Sequence, residues 1–225
     1  MQDNSQQYVI NHPTGASGTF LELVLLSGLQ GFDLDNVYIS PEGNCHDIGF
    51  GKWQSGNNFS FLMSDKSKKF TVGTTHFTNR NDIEKFYSGS CVTLINCKPD
   101  DFLLVSAQKT FKADSNPESW TETAYNNLRG NDWPEYSLTN IRDSEIIANE
   151  MISLHNLNYV KEWVTATDPT EFDVVIDFAT VIGLSDKRLV DVVNKNFFVD
   201  LNTQAVKFIE KYQHYNQTYY KKYIQ

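Results

Sequence analysis

Three sets of residues in this chain could do chemistry together. His76 closes the run Phe70-Thr71-Val72-Gly73-Thr74-Thr75-His76-Phe77, and an imidazole titrating at about pH 6.5 when unperturbed suits removal of a proton from a hydroxyl or amine. Lys98 and Ser106 stand eight positions apart, a cation at the carboxyl end of one run and a hydroxyl about two helical turns further on. The stretch His12-Pro13-Thr14-Gly15-Ala16-Ser17-Gly18-Thr19 precedes the helical pattern Phe20-Leu21-Glu22-Leu23-Val24-Leu25-Leu26. Small residues there let the backbone approach a bound group, and the N–H groups of a helix start favour an anion. Thr14, Gly15, Ala16, Ser17, Gly18 and Thr19 are the candidate anion contacts, although an ordinary strand–helix turn uses the same residue types. An anion cradle, a cation with a hydroxyl and a base aim polar groups from three separate segments at one place.

These residues need elements that bring them to one place. Tyr8-Val9-Ile10 reads as a strand, so the small-residue loop lies between a strand and a helix. Residues 91–97, Cys91-Val92-Thr93-Leu94-Ile95-Asn96-Cys97, form the continuous apolar and β-branched run of a central parallel strand covered on both faces. Pro99 then marks a first helical turn rich in acid, with Lys98 at the strand's carboxyl end. Val174-Val175-Ile176-Asp177-Phe178 reads as a later strand. Ligands of open α/β sheets gather outside the carboxyl ends of the strands, where His76, Lys98 and the loop all fall. The fold class expected is α/β, three-layer, with a mainly parallel central sheet flanked by helices. A nucleoside triphosphatase loop is excluded in its strict form, because Thr19 follows Gly18 directly and the motif's lysine is missing.

At these residues the chain resembles the sulfotransferases that use 3′-phosphoadenosine 5′-phosphosulfate. Pro13, Ser17, Gly18, Thr19 and Phe20 stand as in that family's Ser-Gly-Thr loop between a strand and an apolar helix. Thr75-His76 is similar to its catalytic histidine at a strand end, and Lys98, Pro99, Asp101 and Ser106 to its 3′-phosphate site. The resemblance spans roughly residues 8–112 and, more weakly, 172–215. It implies a P-loop nucleoside triphosphate hydrolase-like fold, 3′-phosphoadenosine 5′-phosphosulfate as donor, adenosine 3′,5′-bisphosphate as product and no metal. It also implies sulfuryl transfer to a small-molecule or glycan acceptor, with His76 as base. Two positions depart from the family: Ala16 stands where Lys or Arg contacts the phosphosulfate bridge, and Lys98 where arginine is usual. A cation introduced at position 16 is therefore expected to raise turnover. A P-loop kinase of a nucleoside or small metabolite, and a non-catalytic nucleotide-binding protein of the same fold, are the rival readings.

Composition agrees with one domain over residues 1–225, 40% hydrophobic and 13% aromatic. The formal charge of −9 argues against nucleic acid as a partner, since backbone affinity comes from clustered Lys and Arg. No apolar run reaches membrane-span length and the start is polar, so a cytoplasmic protein is expected, with no membrane partner. Cys45, Cys91 and Cys97 suggest no disulfide framework, and Cys45-His46-Asp47 lacks a second ligand pair at zinc spacing. Helices are expected within Asp143 to Ala166, over Asp186 to Lys195 and over Leu201 to Tyr223, with irregular connections at Gly43 to Asn58 and Asn116 to Tyr136.

Overall fold

The computed structural model describes residues 6–13, 15–35, 37, 39, 69–102, 105 and 157–220. Thr14, Ser106, Cys45, His155, Lys221, Lys222 and the 43–58 and 116–136 segments lie outside the described residues. Strand β1 (Gln6–Asn11) leads into helix α1 (Gly18–Gln30). β2 (Phe70–Thr75) is followed by α2 (Arg80–Phe86), and β3 (Cys91–Asn96) by a 3-10 turn at Pro99–Asp101. Helix α3, over residues 157–165, precedes β4 (Val174–Asp177), the one-turn α4 (Phe178–Val181), α5 (Leu189–Phe197) and α6 (Thr203–Tyr220).

The four strands form one sheet in the order β2-β1-β3-β4, every neighbouring pair parallel. All four carboxyl ends therefore lie on one edge. The order reverses between β1 and β3, and that is where an open α/β sheet leaves a crevice. Alternate side chains supply two cores. Tyr8, Ile10, Val72, Ile95 and Ile176 pack with α1, α5 and α6 on one face, while Val9, Val92 and Leu94 pack with Ile83, Tyr87, Trp163 and Phe172 on the other. Burial on both faces is why these strands read as unbroken apolar runs. Phe20 through Ser27 are all buried, so α1 is covered all round.

Element ends differ from the sequence expectation for local reasons. The strand expected to run through Phe77 stops at Thr75. The His12 N–H makes the last rung to the Thr75 carbonyl at 3.1 Å, and beyond it the Asn11 side-chain amide takes the Phe77 carbonyl at 2.8 Å. Helix α5 begins at Leu189, not Asp186, because the Ser185 hydroxyl first takes the Lys187 N–H in a turn, 3.1 Å. Asp173 pins the start of β4: its carboxylate accepts from Val92 N–H at 2.7 Å and from the Arg80 guanidinium at 3.0 Å. Cys91 and Cys97 are free thiols, and burial pushes the Cys97 thiol far above the usual range, which makes it inert. No helix among the described residues is long and apolar enough to cross a membrane.

Candidate functional site

The loop after β1 alternates its hand. Gly15 has φ 99° and Ser17 φ 63°, with Ala16 between them at negative φ. Successive residues of opposite hand turn consecutive N–H groups toward one side, the arrangement that makes an anion-binding concavity. Ala16 N–H is committed to the Pro13 carbonyl at 3.0 Å, and Ser17 C=O accepts Leu21 N–H at 3.1 Å to start the helix. Ser17 is the N-cap residue, yet its side chain does not cap; its Oγ accepts the Tyr212 hydroxyl proton at 2.7 Å. Tyr212, from α6, is 2% exposed and its ring lies flat on Phe20, centroids 3.6 Å apart and planes 6° apart.

Gly18 is demanded by His12. A Cβ built on Gly18 would fall on the His12 ring, which is buried beneath the helix start with Nδ1 3.0 Å from the Pro13 carbonyl. The sequence suggested that this glycine clears space for a bound group; the space is filled by the chain's own imidazole. Ala16 is wholly buried in the larger core, so a lysine at that position would have to bury its stem there. A lysine introduced at position 16 is therefore expected to lower stability.

His76 directly follows β2 and is exposed, beside the loop. Its Nδ1 lies 2.7 Å from the His12 carbonyl oxygen, and its ring stands edge-on to the His12 ring, centroids 4.4 Å apart. Because a carbonyl only accepts, Nδ1 carries the proton and the neutral ring has its lone pair on Nε2. The His76 backbone is held from below, its carbonyl accepting Trp163 Nε1–H at 3.0 Å.

Lys98 follows β3 and is exposed, its ammonium 2.9 Å from Asp177 at the end of β4. Asn96 donates to the other Asp177 oxygen at 3.2 Å, while Lys98 N–H donates to Asp101 at 2.7 Å. The hydrogen bond to Asp177 and its charge raise the lysine's pKa. Desolvation pushes Asp177 up, but the bonds from Lys98 and Asn96 and the lysine charge outweigh it and hold the carboxyl below its ordinary range. A bound anion would compete with this ion pair.

Parallel pairing thus delivers Gly15, Ala16, Ser17, Gly18, Thr19, His76 and Lys98 to one edge, from β1, β2 and β3. Thr14 and Ser106 lie outside the described residues. Sequence reasoning missed His12, Asp177 and Tyr212 as contributors. A histidine beside a proline, an acid ending an apolar run and a tyrosine among the apolar residues of a helix were the available signals. Comparison of the chain with protein-family models, with curated proteins and with solved structures finds no match.

Proposed function

We propose that this chain is a sulfotransferase-like protein of P-loop type, which binds 3′-phosphoadenosine 5′-phosphosulfate and transfers its sulfuryl group to an acceptor hydroxyl or amine of a small molecule or glycan. One observation carries the reading: the alternating-hand loop, the imidazole and the lysine leave three parallel strands on the same edge, beside the β1/β3 reversal. The residues fit such a donor in part. Loop N–H groups between Gly15 and Thr19, other than that of Ala16, suit a 5′-phosphate, and Lys98 suits a 3′-phosphate once it leaves Asp177. The donor supplies the sulfuryl group when bound. His76 takes the acceptor proton at Nε2, its Nδ1–H anchored on the His12 carbonyl, and the loop N–H groups stabilise negative charge left on the phosphate side.

A non-catalytic nucleotide-binding protein of the same fold is the second reading. Ala16 favours it, since its buried methyl leaves the bridge position without a cation. The two part experimentally. Adenosine 3′,5′-bisphosphate should bind in calorimetry in preference to ADP with magnesium, and sulfate transfer should be measurable with a panel of acceptors. His76→Ala and His76→Asn should each lower transfer by about 10² to 10⁴ with little change in nucleotide affinity. Binding without turnover selects the second reading; tighter binding of ADP with magnesium selects a kinase; full activity of His76→Asn removes His76 as base.

A further inference from the structure

We infer that Tyr212 is a positioning residue for the anion loop, holding Ser17 in its left-handed conformation from helix α6; this rests on the anion-binding reading of that loop. A serine at φ 63° and ψ 26° occupies a region that non-glycine residues avoid, so something must hold it. Its own side chain does not do so by capping the helix. The hydroxyl of Tyr212 reaches it at 2.7 Å, in a buried setting. Tyr212 is itself held by two contacts, the first of them backed by a further ring. Phe20 stacks flat on its ring, its backbone carbonyl accepts the buried Asn216 amide at 2.8 Å, and Phe208 lies on the Phe20 ring, centroids 5.6 Å apart. A rigid donor from a distant helix thus meets the strained residue of the loop.

The consequence is quantitative. If Ser17 leaves the left-handed region in a fraction of molecules, apparent anion affinity falls by that fraction. Glycine takes positive φ freely, so Ser17→Gly should relieve the need for the tyrosine hydroxyl. The experiment is a double-mutant cycle read by calorimetry with adenosine 3′,5′-bisphosphate, at a temperature where circular dichroism shows each variant folded. Tyr212→Phe should weaken binding about 5-fold, whereas the same change in a Ser17→Gly background should alter it by less than about 2-fold. In the ligand-free protein, nuclear magnetic resonance shifts and the HN–Hα coupling of Ser17 should move away from left-handed values in Tyr212→Phe, which loss of helix packing alone would not cause.

Equal weakening in both backgrounds, unchanged affinity in Tyr212→Phe, or unchanged Ser17 couplings would each overturn the positioning role while leaving the anion site standing. Absence of binding by the wild type overturns the nucleotide reading and the role built on it. Should Tyr212→Phe alone fail to fold, the glycine background still decides: loss of affinity there refutes the role.

Discussion

In the ligand-free protein the charge of Lys98 is already engaged by Asp177 at 2.9 Å, and under the proposed function this is the residue on which nucleotide preference turns. Exposed ion pairs of this kind contribute little to stability, so the carboxylate acts mainly as a competitor for any incoming anion. Asp177→Asn should therefore tighten adenosine 3′,5′-bisphosphate binding by about 3- to 10-fold, an effect that shrinks with added salt. Lys98→Ala should weaken that ligand more than 5′-AMP, which lacks the 3′-phosphate. Calorimetry at two ionic strengths checks both, and equal losses for the two nucleotides would show that Lys98 faces another group. The sequence displayed Lys98 as a cation at a strand end, and it is one. Its partner was illegible because it lies 79 positions away on a strand whose place beside β3 no local pattern encodes. Tyr212 was hidden in the same way among the tyrosines of a helix.

Among the elements, the join between β1 and α1 shows most clearly what local pattern can and cannot reveal. Strand, loop and helix were all readable from an apolar run, small residues and a second apolar run, and each lies where its pattern put it. The strand order was not readable, since parallel neighbours are set by crossover connections and not by adjacent residues. The reason for Gly18 was misread too, because the ring that excludes a side chain comes from His12, six positions earlier, folded back beneath the helix start. A steric cause predicts steric coupling. Gly18→Ala should cost about 2–3 kcal/mol in the wild type, and under about 1 kcal/mol once His12→Ala has emptied the space. Urea unfolding of the four proteins of this cycle gives the coupling directly, and additive effects would mean that the glycine serves some other contact.

For the molecule as a whole, one buried acid should set the pH profile of stability. Glu22 lies in α1 with 3% exposure, and burial alone pushes its carboxyl up to about 8 from 4.5, with no hydrogen bond to it among the described residues. Between those values the folded protein holds a proton that the unfolded chain has released. The sign follows: this contribution is full below about pH 4.5, declines as pH rises and is gone by about pH 8. Urea midpoints should accordingly fall from pH 5.5 to pH 8 in the wild type. Glu22→Gln should flatten that decline and leave the protein about 2–4 kcal/mol more stable than wild type at pH 8. Parallel profiles for the two proteins would place the titration elsewhere. The bond between Tyr212 and Ser17 has a further implication, for the time at which the molecule becomes competent. The two residues are 195 positions apart, so the ribosome delivers the loop roughly 10–40 s before its anchor, at about 5–20 residues per second. Through that interval a nascent chain carries the loop without this hydrogen bond, so whatever the bond does for the loop it does only in the finished protein.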